Sequence, residues 1–162
     1  MTEPPAEILR RLRPIPTTAG PPTTRPADVV GVRPDGSPCT VDVVGTAAPV
    51  LLLFLSAACI GCPDLWEGLS ELGAGLAPSV RLAVVTKSPG DEDAAAVAAL
   101  AGGSAPTPVG VEVVMSTAAF RHYRAAAPFL VVAGPDTVLA ESVAWGVDET
   151  LRTASAALSA AP

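Results

Sequence analysis

Val50-Leu51-Leu52-Leu53-Phe54-Leu55-Ser56-Ala57-Ala58-Cys59-Ile60-Gly61-Cys62 is the stretch on which the reading of this chain turns. Its first half, Val50–Ser56, is a continuous apolar run, the composition of a strand that meets no water on either face. Beyond it Leu65, Leu69, Leu72 and Leu76 recur at spacings of four, three and four, which is one stripe of a helix. The two cysteines therefore fall where a buried strand hands over to a helix. Thiols three residues apart on the first turn of a helix come close enough to close a small disulfide ring. The unpaired N–H groups and positive dipole end found there favour a thiolate on the first thiol. A thiol so depressed in pKa is a nucleophile near neutral pH and a good leaving group in exchange. Cys59, N-terminal and the more exposed, is the expected attacker, and Cys62, one turn in, the expected resolving thiol. Two other readings stand beside this one. The pair could be packing cysteines, since cysteine is a common small hydrophobe in apolar stretches. Or Cys39, Cys59, Cys62 and His122 could form a zinc site, although structural zinc ligands usually come in two close pairs and Cys39 and His122 stand alone.

The pattern on either side of this stretch is regular. Asp28–Val32 and Cys39–Val44 are β-branched runs around the turn triplet Pro34-Asp35-Gly36, which predicts a hairpin. Arg81–Thr86 is a further apolar strand. Asp91–Ala101 reads as an Ala-rich helix with its three acids in the first turn, Val109–Val114 as a strand, and Ser116–Tyr123 as a short helix opened by a Ser/Thr cap. Phe129–Ala133 and Val138–Ala144 flank Gly134-Pro135-Asp136, a second hairpin. A last helix starts near Asp148, with Val147, Leu151, Ala154 and Leu158 on one face. The order β-β-β-α-β-α-β-α-β-β-α predicts an α/β fold, a mixed central sheet flanked by helices on both faces.

Composition agrees with one such domain. The chain has 162 residues, 49% of them hydrophobic; 30 of these are alanine, but 20 Val and 16 Leu suffice for a packed core and exclude wholesale disorder. Residues 1–27 hold seven of the 18 prolines and read as a flexible arm with at most a short helix at Ala6–Leu12, leaving 28–162 as the folded domain. The longest strongly apolar run, Val50–Leu55, has six residues, far below the ~20 that span a bilayer. Met1–Arg13 lacks the pattern of a signal peptide. The expected compartment is cytoplasmic, the alternative being the extracytoplasmic soluble domain of an anchored protein. A net charge of −6 argues against non-specific nucleic-acid binding. Three cysteines, an odd number with two close together, are not the framework of a stapled secreted scaffold.

Pro128 completes the reading. It follows Ala125-Ala126-Ala127 and directly precedes the strand Phe129–Ala133. With the CxxC after a central strand, this resembles the thioredoxin superfamily. More narrowly, LLLFLSAACIGCP (51–63) and APFLVVAGPDTVLAESVAWG (127–146) are similar to the TlpA/MauD-type thiol–disulfide oxidoreductases, which carry an added N-terminal β-hairpin. The resemblance implies a thioredoxin-like fold over residues 28–160 and a protein thiol–disulfide oxidoreductase. In that role Cys59 attacks, Cys62 resolves and Pro128 is a cis-proline beside the thiols. The backbone of Ala127 pairs with an extended substrate, while Ile60, Gly61 and Trp66 line the site.

No metal and no dissociable cofactor are expected, because the Cys59–Cys62 dithiol is itself the redox centre. The implied partners are a disulfide-containing or dithiol protein substrate and a redox recycling partner. A peptide-binding module gripping substrate at Ala127–Pro128, with incidental redox activity, is the alternative function. Departures from thioredoxins proper are Ala58 in place of a Trp, Leu53 in place of a buried Asp, Ile60-Gly61 as the dipeptide, and Pro63 after the second cysteine. Four other features are read as structural. Cys39 is expected to be a packing cysteine and His122 a surface residue. Trp66 and Trp145 are expected to cover apolar surface, with Trp66, four residues after Cys62, the one that can also wall the site, and Asp91-Glu92-Asp93 to be helix-start chemistry rather than a metal site.

Overall fold

The computed structural model describes residues 24–102 and 111–161. Its centre is β3, Val50–Phe54, in which every residue is 0% exposed. This is what the unbroken apolar run requires, since β3 has a strand on each edge and a buried core on each face. On one edge it pairs in parallel with β4, Arg81–Thr86, and on the other antiparallel with β6, Phe129–Ala133. The remaining strands are β1 (Val29–Val32), β2 (Pro38–Val41), β5 (Glu112–Met115) and β7 (Val138–Val143). They complete a seven-stranded mixed sheet of order β2-β1-β5-β4-β3-β6-β7. The expected first hairpin thus joins the sheet through β5, with Val32 opposite Met115. Its turn closes on Asp35, whose Oδ1 accepts from the Ser37 N–H at 2.9 Å.

Five helices cover the sheet among the described residues: α1 (Pro63–Glu67), α2 (Leu69–Gly75), α3 (Ala94–Gly102), α4 (Thr117–Tyr123) and α5 (Gly146–Ala160). Because side chains alternate along a strand, β3 feeds two cores. Leu51 and Leu53 pack under α1, α2, α3 and α5 with Leu65, Leu72, Val97 and Ala154. Leu52 and Phe54 pack under α4 with Phe120 and Tyr123. Phe54 gathers the aromatic rings, lying edge-on to Phe120 at 5.0 Å and 6.3 Å from Phe129. Each such pair adds about 0.5–1.5 kcal/mol beyond burial.

Two helices differ from expectation. The Leu65–Leu76 stripe is broken at Gly68 into α1 and α2. A Cβ there would collide with Val147 Cγ2 and lie 2.9 Å from the Asp64 carbonyl oxygen, so the glycine lets α5 approach the break. The helix expected from Asp91 begins at Ala94, and its acids precede it. Asp93 caps it by accepting from the Ala95 and Ala96 N–H groups at 2.9 and 3.2 Å. The short helix considered at Ala6–Leu12, and the start of the strand expected from Val109, lie outside the described residues. Among the described residues no helix is long and apolar enough to cross a membrane.

Candidate active site

The chain leaves β3 through Leu55, whose N–H still bonds the Val85 carbonyl at 2.9 Å, and then rises through Ser56, Ala57 and Ala58 to Cys59. Cys59 and Cys62 form a disulfide, with Cα atoms 5.4 Å apart. The thiols do not sit within the first helical turn as expected. Cys62 is the N-cap of α1 and Cys59 lies in the turn ahead of it, closed by the Cys62 N–H on the Cys59 carbonyl at 3.3 Å. Pro63 sets that boundary, because proline lacks an N–H and suits the first helical position. With only five residues, α1 contributes a smaller dipole than a full helix.

Burial separates the two sulfurs. Cys62 is wholly buried and packs with Leu53, Leu55 and Trp66; Cys59 is partly buried. Ile60, between them, is 98% exposed and forms the outermost point of the site.

Pro128 stands across from this turn. The Ala127–Pro128 bond is cis, as the resemblance implies. A Cβ on Gly61 would lie 3.4 Å from Pro128 Cγ, so the proline ring borders the dipeptide between the cysteines. The Pro128 carbonyl accepts from the Ala144 N–H at 3.1 Å, tying the proline to the end of β7. Ala127 is half-buried and makes no backbone hydrogen bond among the described residues. Just past β7, Trp145 is 51% exposed. Trp66, by contrast, is 5% exposed and packs in the core, as expected. The Trp66 indole N–H also donates to the Ser56 carbonyl at 3.3 Å, supporting the cysteine loop from beneath.

One residue of this neighbourhood, Glu92, is expected from the sequence only as a helix-start acid. Glu92 Oε1 accepts from the Ala57 N–H at 3.0 Å and from the Ser56 hydroxyl at 3.3 Å. The available signal was topological rather than local. Loops leaving the C-terminal ends of adjacent parallel strands emerge side by side, so residues after β4 meet residues after β3.

The other candidates lie elsewhere. Cys39 is a buried, free thiol of β2, its Sγ 3.7 Å from Glu112 Oε2. Burial first, and then the Glu112 carboxylate, push its pKa up. His122 is exposed on α4, its Nε2 2.7 Å from the Arg25 carbonyl oxygen. The four residues of the zinc reading are thus not brought together. No cluster of three or more His, Cys, Asp or Glu side chains is placed to hold a metal among the described residues.

The sheet order, the CxxC at the end of β3 and the cis-proline opening β6 decide the fold. The chain has the thioredoxin fold. No family model and no curated protein matches it. Solved structures do. The thioredoxin-fold chain is similar to a secreted disulfide oxidoreductase of Mycobacterium tuberculosis, with 18% identity and a TM-score of 0.60 over 78% of this chain and 94% of that one. It is similar to StoA of Bacillus subtilis, with 15% identity and a TM-score of 0.60 over 80% and 97%. A peroxiredoxin-like protein of Aquifex aeolicus also matches, with 13% identity and a TM-score of 0.60 over 86% and 88%.

Proposed function

We propose that this thioredoxin-fold protein exchanges thiols and disulfides with peptide or protein partners. The observation that carries the reading is the Cys59–Cys62 disulfide at the end of a buried strand, with the Pro128 ring bordering it. Cys59 is partly buried and Cys62 wholly so, which supports attack by the first and resolution by the second. In the reducing direction the Cys59 thiolate attacks one sulfur of a substrate disulfide, and the other sulfur leaves as a thiolate. Cys62 then gives up its proton and attacks Cys59, releasing the second substrate thiol and leaving the Cys59–Cys62 disulfide. Two electrons pass to the substrate, and the reverse sequence oxidises it. A dithiol or disulfide recycling partner resets the pair, and no dissociable cofactor enters the cycle.

The unbonded backbone of Ala127, next to Pro128, is where an extended substrate strand would pair, as strands add to sheet edges. Net reduction suits a cytoplasmic setting, and oxidation an extracytoplasmic one such as that of the secreted Mycobacterium tuberculosis neighbour. Turnover of a peptide disulfide with dithiothreitol as electron source tests the reading. The protein is expected to turn over and Cys59→Ser to abolish turnover; equal rates for both, or none for the unaltered protein, would leave a peptide-binding module instead.

A further inference from the structure

We propose that Glu92 is a positioning residue of the exchange centre: its carboxylate fixes the segment that presents Cys59, and its negative charge holds back ionisation of that thiol. The proposal rests on the assignment of Cys59 as the attacking group. Three consecutive acids leave the loop after β4, and each has a different partner. Asp91 accepts from the Thr117 hydroxyl at 2.7 Å, and Asp93 caps α3. Glu92 is the one aimed at the cysteine loop.

The loop that carries Glu92 is itself held. The Asp91 and Glu92 N–H groups bond the Ser88 carbonyl at 3.0 and 3.1 Å. Ser88 and Thr117 exchange two backbone-to-hydroxyl bonds of 2.9 Å. From this fixed base Glu92 Oε1 takes the Ala57 N–H and the Ser56 hydroxyl, while Ser56 Oγ accepts from the Ala58 N–H at 3.1 Å. With Trp66 on the Ser56 carbonyl, each of the three residues before Cys59 is tied by a named bond. Bonds from N–H to a carboxylate are charge-assisted and stronger than neutral ones.

The same charge is bonded to the backbone two residues before a thiol that must become anionic, and like charges oppose that ionisation. Positioning and charge therefore act in opposite directions. Glutamine separates them, since its amide oxygen keeps the acceptor and loses the charge. Asp64 in the first turn of α1, with Asp91 and Asp93, remains as a common background.

The test uses the reduced full-length protein and its Glu92→Gln and Glu92→Ala variants. Iodoacetamide alkylation is followed against pH, with the modified cysteine located by mass; the thiolate forms the S–C bond and iodide leaves. Glu92→Gln is expected to lower the Cys59 midpoint by about 0.5–1 pH unit, with a plateau rate within about twofold of the unaltered protein. Glu92→Ala is expected to speed hydrogen exchange of the Ala57 N–H by roughly tenfold or more, and Glu92→Gln to restore its protection. A Cys59 midpoint unmoved in Glu92→Gln, or unchanged Ala57 exchange in Glu92→Ala, overturns the proposal. A Cys59 that alkylates no faster than Cys62 in the unaltered protein overturns instead the assignment on which it rests.

Discussion

Gly61 faces Pro128 across the mouth of the site: a Cβ on Gly61 would lie 3.4 Å from Cγ and 3.5 Å from Cδ of the proline ring. These are ordinary van der Waals distances, so no clash demands a glycine. What the missing Cβ leaves is space over Pro128, beside the backbone of Ala127 where a substrate strand would lie.

Gly61→Ala should therefore fold normally, with stability within about 1 kcal/mol of the parent, yet exchange more slowly with peptide disulfides. The loss should stay under about tenfold, since one methyl narrows the approach without closing it. Thermal melts beside stopped-flow exchange check this; slowed exchange with an equally large loss of stability would mean that the methyl distorts the fold instead.

By the sequence resemblance, Leu53 stands where thioredoxins proper carry a buried acid. It is 0% exposed, paired with Val84 and Leu130, and shares its core with Cys62. A leucine takes no proton from the resolving thiol, and an apolar environment disfavours a buried thiolate. Resolution by Cys62 is therefore expected to be slower than attack by Cys59. Leu53→Asp should speed resolution while costing about 3 kcal/mol or more of stability, from the lost packing and the buried carboxyl. Quenched alkylation times the two steps; unchanged resolution in a folded Leu53→Asp variant would refute this role for the position.

The places where sequence and structure part share one cause. Local signals carried far: the apolar run Val50–Phe54 became a fully buried strand, both turn triplets became hairpins, and the CxxC came to face Pro128. What periodicity could not report was contact between elements distant in the chain. Gly68, where the helix breaks, stands so close to Val147, 79 residues on, that no Cβ fits between them. Glu92 left the role of a helix-start acid because β4 lies parallel beside β3 and its loop meets Ser56 and Ala57.

Cys39 should be silent in the native protein. Its burial and the Glu112 carboxylate raise its pKa, so little thiolate forms near neutral pH. Iodoacetamide should modify reduced Cys59 well before Cys39, which should react only after denaturant is added. Cys39→Ser should leave exchange rates unchanged. Native labelling of Cys39 at the rate of Cys59 would refute this.

Asp28 ties the start of β1 to the end of the first hairpin, its Oδ1 accepting the Val43 and Val44 N–H groups at 2.7 and 2.9 Å. These two bonds, Val43 first, hold its carboxyl below the usual value. Because the folded pKa is depressed, the linked stability is fully present above the unfolded value of about 3.9 and is lost as pH falls through the folded pKa. Asp28→Ala should therefore be less stable than the parent at pH 6, with the gap closing as pH falls through the depressed folded pKa. Denaturant melts across that range check it; a gap independent of pH would assign the loss to packing instead.

The central claim is that Cys59 is the thiol that meets substrate. Cys62→Ser isolates that step, because the attacking thiol remains and the resolving one is gone. The reduced variant, mixed with a peptide disulfide and mapped by mass after acid quench, should carry one peptide on Cys59, stable until dithiothreitol releases it. No adduct, or an adduct on Cys39, would contradict the account.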